Sequence, residues 1–170
     1  SKKALSSSKE EKLFKTRFEE HKDAVFRLCL GYFRQDSALA EDALQETFVK
    51  AWIHRKQFRE EANWQTWIYR IAVNTCLLHL KKEKKEAQKA MELAIQPQSE
   101  YDPEKEQQIQ RMYACIDQLS PQNRLLILMV LEGIPYATIE ETLGLSSENL
   151  RVKIHRIKKQ LYPCISHGNT

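Results

Sequence analysis

On a helical wheel of about 100° per residue, Thr66, Arg70, Asn74 and Lys81 share a narrow polar window of the otherwise apolar segment NWQTWIYRIAVNTCLLHLKK, residues 63–82. An amide flanked by a guanidinium and an ammonium suits a base edge held between phosphates. Just upstream, the polar loop FREEANW is bounded by Phe58 and Trp64 and contains Asn63, so aromatic walls and amides stand next to the window. That combination can receive an unstacked base. A second set, Asn149, Arg151, Val152, Lys153, His155 and Arg156, falls in a stretch where residues 151–160 contain no acid. There arginine and asparagine can read bases, while lysine neutralises phosphate. A third set, Asp42, Gln45, Glu46 and Val49, is acidic with one exposed apolar group, which suits a basic protein surface better than a polyanion. No nucleophile–base–acid set, metal cluster or glycine-rich phosphate loop accompanies these residues, so binding chemistry is expected, with no cofactor, metal or small-molecule substrate.

The elements that must hold these sets are helices. Only four glycines and five prolines interrupt the 170 residues, and residues of high helix propensity are plentiful, so the chain reads as all-α. Phe14, Phe18, Val25, Leu28, Cys29 and Tyr32 recur at helical spacing and predict a first long helix over about residues 9–33, ended by a turn near RQDSA. A second helix carries Ala40, Leu44, Phe48 and Trp52 on one stripe, which turns the acidic set outward and leaves Glu46 and Lys50 as an i, i+4 pair. The third is the opening segment, in which Trp64 and Trp67 read mainly as core. Beyond it, prolines, charges and glutamines predict a linker over residues 86–105. Periodicity returns with Ile109, Met112, Tyr113, Ile116 and Leu119. Ser120-Pro121 then supplies an N-cap and first-turn proline for QNRLLILMVLEG, which Gly133 stops. A short helix from Pro135 ends at Gly144, and Ser146 or Ser147 caps a last helix lined by Leu150, Ile154, Ile157 and Leu161. Two helices separated by GLSS, the second basic on its outer face, have the form of a helix-turn-helix.

The expected organisation is a disordered tail at 1–8, a helical domain at 9–85, a flexible linker at 86–105, a second helical domain at 106–163 and a tail at 164–170. A linker of about 20 residues spans roughly 70 Å when extended, enough to bridge sites nearly two turns of DNA apart, about 60 Å. The four cysteines lack any C-x-x-C spacing and are expected to be buried, reduced thiols, and Cys76 with His79 supplies too few ligands for zinc. Neither a signal-like segment nor an apolar run of membrane-spanning length occurs, so the chain is expected in the cytoplasm. Its net charge of +4 is concentrated after the opening helix, Lys81 to Lys89, and in the last one.

The segments EDALQETFVKAW, FREEANWQTWIYRIAVNT and LSPQNRLLILMVLEGIPYATIEETLGLSSENLRVKIHRIKKQL resemble, in order and spacing, regions 2 and 4 of the bacterial RNA polymerase sigma factors of the extracytoplasmic function (ECF) group. The resemblance implies a sigma-2 domain that meets the clamp helices of core RNA polymerase through Asp42, Gln45, Glu46 and Val49. It also implies that Phe58, Asn63, Trp64, Arg70, Asn74 and Lys81 serve promoter melting at the minus-ten element. A sigma-4 domain would place Asn149, Arg151, Val152, Lys153, His155 and Arg156 at the minus-thirty-five major groove and bind the polymerase flap. An anti-sigma factor, itself the only link to a membrane, is the further implied partner. Three departures from the family pattern stand out: Glu140, four residues before the turn glycine, whose carboxylate must leave sideways or else the helix packing loosens; Glu60-Glu61, in place of a glycine-containing loop; and Val152, where serine is frequent. A stand-alone helix-turn-helix regulator is the competing reading, and it leaves the Asp42 face and the aromatic loop without a role.

Overall fold

The computed structural model describes residues 2–58, 63–90 and 103–167, the side chains of 80–90, 103 and 167 excepted. Seven α-helices and one 3-10 turn, Arg55–Gln57, make up the described residues. Helix α1 (Lys2–Tyr32) ends where Arg34 and Gln35 adopt φ of 57° and 66°. Asp36 then caps α2 (Ser37–Ile53), its carboxylate accepting the Leu39 N–H at 3.1 Å. Helix α3 spans Trp64–Ala90, and Asn63 Oδ1 accepts the Gln65 N–H at 3.0 Å where it begins. These three helices pack on one another around Val25, Leu28, Cys29, Phe48, Ile68 and Cys76.

The second group consists of α4 (Pro103–Asp117), α5 (Pro121–Leu131), α6 (Tyr136–Leu143) and α7 (Ser147–His167). Ser120 Oγ caps α5 by accepting from Asn123 N, and Pro121 occupies its first turn, where a missing N–H costs nothing. Gly133 at φ 71° ends the following turn. Every residue of α5 from Arg124 to Met129 is buried. At about 1.5–3 kcal/mol per buried large apolar side chain, its five apolar residues contribute on the order of 10 kcal/mol, an upper bound for an extended unfolded chain. A helix buried on all sides needs neighbours on all sides, and α5 finds them in α6 and α7 and, across the two groups, in α1. Helix α6 likewise packs on α3, so one hydrophobic cluster runs through both groups.

Several expectations are corrected. Residues 2–8, expected as a tail, continue α1. Helix α3 runs to Ala90 and α4 starts at Pro103, both inside the expected linker, whose remaining residues 91–102 lie outside the described ones, as do Glu60 and Glu61. Helix α7 runs to His167, inside the expected C-terminal tail, whose residues 168–170 lie outside the described ones. Of the four expected thiols, only Cys29 and Cys76 are free and buried; Cys115 and Cys164 form a disulfide between α4 and α7 with Cα atoms 6.0 Å apart. Sequence separation, 49 residues, had hidden this proximity, which exists only because α7 folds back along α4. No described helix is long and apolar enough to cross a membrane.

Candidate nucleic-acid interface

Helices α6 and α7 are joined by a tight turn at Gly144, whose φ of 67° lies in the left-handed region that glycine enters without penalty. Ser146 Oγ accepts the Asn149 N–H at 3.2 Å and fixes the first turn of α7. The Glu140 carboxylate does leave sideways, accepting the Ser147 hydroxyl at 2.8 Å, so an acid near the turn adds a tie between the two helices. Leu150, Ile154, Ile157 and Leu161 are buried in a stripe that orients α7. Asn149, Arg151, Val152, His155 and Arg156 are consequently exposed, whereas Lys153 is half-buried on the side facing α3 and α5.

On α3 the polar window is partly closed by α6. Arg70 donates two hydrogen bonds, from Nε at 3.0 Å and Nη2 at 2.6 Å, to the carbonyl oxygen of Glu141, and the buried Thr66 hydroxyl donates to Glu141 Oε2 at 3.0 Å. The window therefore contains only two outward groups whose placement is described, Arg70 and Asn74; the side chain of Lys81 lies outside the described residues. Asn74 and Lys153, far apart in sequence, line one cleft between α3, α5 and α6.

The aromatic set beside the window is organised by packing. Trp64 is buried, 5.2 Å from the His21 ring and 6.2 Å from Trp67, and Trp67 lies 5.4 Å from Phe58. The Arg17 guanidinium stands 5.3 Å from the centroids of both Phe58 and Trp64, a cation–π arrangement that sequence spacing does not reveal because Arg17 belongs to α1. Between them these contacts fix both ends of the loop that Phe58 and Trp64 bound.

The α2 face is arranged differently from a plain acidic patch. Asp42, Gln45 and Val49 are exposed, Val49 by 57%. Glu46, however, is held by His79 Nε2 at 2.6 Å and by Lys50 Nζ at 3.0 Å, the latter being the expected i, i+4 pair. The hydrogen bond to His79, with further help from Lys50, keeps the Glu46 carboxyl below its ordinary range against the opposing effect of burial. Glu46 thus ties α2 to α3 as well as bordering the exposed face.

A set of contacts between the two helix groups was not anticipated. Arg27 Nε lies 2.8 Å from Glu132 Oε2, Arg34 Nε lies 3.0 Å from Asp117 Oδ2, and the Arg124 guanidinium stands 4.6 Å from the Tyr32 ring centroid. Gly31 lets α1 and α5 approach so closely that a Cβ there would stand 2.7 Å from Leu128 Cδ2. The legible hint was QNRLLILMVLEG, too apolar all round for a helix with one free face.

Comparison with known proteins follows this division. Residues 17–86 match the family model for sigma-70 region 2, and residues 109–161 match that for sigma-70 region 4. The ECF RNA polymerase sigma factor SigE of Mycolicibacterium smegmatis is 30% identical over 156 residues, covering 84% of this chain and 57% of the relative. SigM of Bacillus subtilis, also an ECF RNA polymerase sigma factor, is 24% identical over 155 residues, covering 89% of this chain and 94% of its own. The chain therefore spans little more than half of the first relative and nearly all of the second. Among solved structures, the sigma factor RpoE bound to the anti-sigma factor NepR from Bartonella quintana matches with a TM-score of 0.71 at 20% identity, covering 93% of this chain and 99% of that one. CnrH in complex with the cytosolic domain of CnrY matches at 0.70 and 17%, covering 98% and 96%. At these identities the two structures establish a shared all-α fold.

Proposed function

Because this chain belongs to the extracytoplasmic function group of the sigma-70 family, we propose that it joins core RNA polymerase, recognises minus-thirty-five and minus-ten promoter elements and promotes DNA melting. The observation that carries this reading is the coexistence, on one chain, of a capped helix-turn-helix with an exposed, acid-free recognition face and a separate α3 window holding Arg70 and Asn74. In the proposed division, helices α1 to α3 form the sigma-2 unit and α4 to α7 the sigma-4 unit. Asp42, Gln45, Glu46 and Val49 meet the clamp helices of the polymerase, and the sigma-4 unit meets the flap. Phe58, Asn63, Trp64, Arg70, Asn74 and Lys81 serve the minus-ten element. Asn149, Arg151, Val152, Lys153, His155 and Arg156 serve the minus-thirty-five element. An anti-sigma partner is supported by the NepR complex of the structural relative. No step requires a bond to be made in substrate, so the chain is read as a non-enzymatic factor acting in the cytoplasm.

The closed arrangement has a mechanistic consequence for this reading. While α6 lies on α3, the Arg70 guanidinium is bonded to the Glu141 carbonyl and the Thr66 hydroxyl to its carboxylate. Promoter engagement by α3 thus requires α6 to leave, exchanging these hydrogen bonds for contacts to DNA. Incubating the purified chain with core RNA polymerase and a random promoter library tests the assignment. Complexes should enrich two sequence blocks nearly two helical turns apart; enrichment of one block, identical with and without polymerase, would favour the stand-alone regulator.

A further inference from the structure

The two cysteine pairs differ chemically. Cys29 and Cys76 are wholly buried, with sulfurs 3.7 Å apart, and the thiol–thiol hydrogen bond followed by burial pushes the Cys76 thiol well up. A thiol so placed is a poor nucleophile and out of reach of reagents. Cys115 and Cys164 instead line an open cavity of about 360 Å³ together with Gln107, Gln110, Arg111 and Ala114. The cavity far exceeds the roughly 10–15 Å³ that one water requires, so a small thiol reaches its wall. Arg111 is the charged side chain among the described residues of that lining, and a guanidinium favours the anionic form of an attacking or departing sulfur.

The bond also sits beside a break in the hydrogen-bond ladder of α7. Pro163 lies inside the helix and has no N–H to give, so the ladder is interrupted one residue before Cys164. Beyond that break, the end of α7 is held by packing on α4 and by the disulfide itself. The enclosed 49-residue span contains α5, α6 and the helix-turn-helix, and the same α7 carries the recognition face at its other end.

We infer that Cys115–Cys164 is a reversible thiol–disulfide site that fastens α7 to α4 and is opened by a dithiol reductant. One reductant thiolate attacks Sγ of Cys164, the less buried of the two residues, forming a mixed disulfide while Cys115 leaves as a thiolate and takes up a proton. The second reductant thiol, losing its proton, attacks the mixed disulfide from its own side and releases Cys164 as a thiolate, which is then protonated. The chain has gained two electrons and two protons, and the reductant has become a disulfide. The consequence for DNA, that reduction loosens the recognition helix and weakens minus-thirty-five binding, rests on the helix-turn-helix reading above.

The test uses the full chain, oxidised with glutathione disulfide and then treated with dithiothreitol under native conditions. Alkylation and peptide mass mapping should label Cys115 and Cys164 only after reduction, and Cys29 and Cys76 only after denaturation. A Cys115–Cys164 bond that never forms under the oxidant, or that opens only on denaturation, overturns the proposal. Reduction should lower the thermal midpoint by about 10 °C. Trypsin cleavage after Lys158 and Lys159 should accelerate at least about tenfold, as the open population grows. The Cys164→Ser variant should be cleaved rapidly with or without reductant, while Cys76→Ala should respond as the native chain does. Unchanged cleavage on proven reduction would remove the fastening role. A minus-thirty-five duplex should bind several-fold more weakly to the reduced chain. If cleavage responds but no duplex binds in either state, the thiol site stands and the helix-turn-helix reading falls.

Discussion

Replacing Gly31 by alanine should open the two helix groups without unfolding either. The added Cβ would stand 2.7 Å from Leu128 Cδ2 and 3.4 Å from Cδ1, against an ordinary carbon–carbon contact of about 3.5–4.0 Å. Leu128 is a flexible side chain, but it is buried in α5, so turning it aside drives it into other core residues. Overpacking of this kind costs about 1–3 kcal/mol, and the same substitution returns about 1 kcal/mol of helix propensity in α1. The propensity gain is present in open and closed chains alike and cancels from the equilibrium between them. The steric cost acts on the closed form alone, so the opening constant should rise by about 5- to 150-fold. Small-angle X-ray scattering of the free chain reads this as a larger radius of gyration and maximum dimension, while circular dichroism should report undiminished helix. Superimposable scattering curves with a raised thermal midpoint would refute the reasoning, because they would mean that Leu128 yields at no cost and only the helix gain survives.

Other perturbations separate the proposed roles. Asp42→Lys should weaken core-polymerase binding in a competition assay with folding intact, since Asp42 is exposed and free of the Glu46–His79–Lys50 cluster; unchanged affinity would remove α2 from that interface. Asn74→Ala should impair promoter melting, read by permanganate reactivity of thymines, more than duplex binding, and a pre-opened bubble should rescue it; normal melting would make Asn74 structural. Arg151→Ala should relax preference at one base position and cost about 1–3 kcal/mol, whereas Lys153→Ala should lower affinity uniformly and flatten the salt dependence; equal losses over all sequences for both would reduce α7 to an electrostatic anchor. The Glu46 carboxyl is depressed in the folded chain, chiefly by its hydrogen bond to His79, so its stabilising contribution is complete above the ordinary value of 4.5 and is lost as pH falls through the lower folded value. In acid denaturation, Glu46→Gln should therefore be less stable than the native chain near neutrality and converge with it below that range; a constant difference down to acid unfolding would contradict the coupling.

How much was readable in advance depended on the range of the interaction. Ser120-Pro121, Gly144 and Ser146 act on backbone groups within a few residues of themselves, so the caps and the turn between α6 and α7 were legible from spacing. The outward placement of Arg151 followed from the same local geometry, whereas the choice between a sideways exit of Glu140 and looser packing was decided by the Ser147 hydroxyl. Periodicity tells which face of a helix is covered, but not by what. The α3 window was therefore correctly seen as polar, while the bonds from Arg70 and Thr66 to Glu141, more than seventy residues away, left no periodic trace. The same limit hid Arg17 over Phe58 and Trp64 and the pairing of Cys115 with Cys164. Nothing in the local sequence singles out Gly31; only the approach of α5 gives its missing side chain a purpose.

The central claim is that this chain confers promoter-specific initiation on core RNA polymerase, and run-off transcription with mapped start sites tests it most directly. With core polymerase and a template carrying the two sequence blocks selected by the complex, the chain should direct initiation from one start site just downstream of the nearer block, and Asn74→Ala should reduce that product on duplex DNA but not on a pre-opened template. Polymerase that gives the same products with and without the chain, while the chain alone still binds the farther block, would contradict the account and leave a DNA-binding regulator in its place.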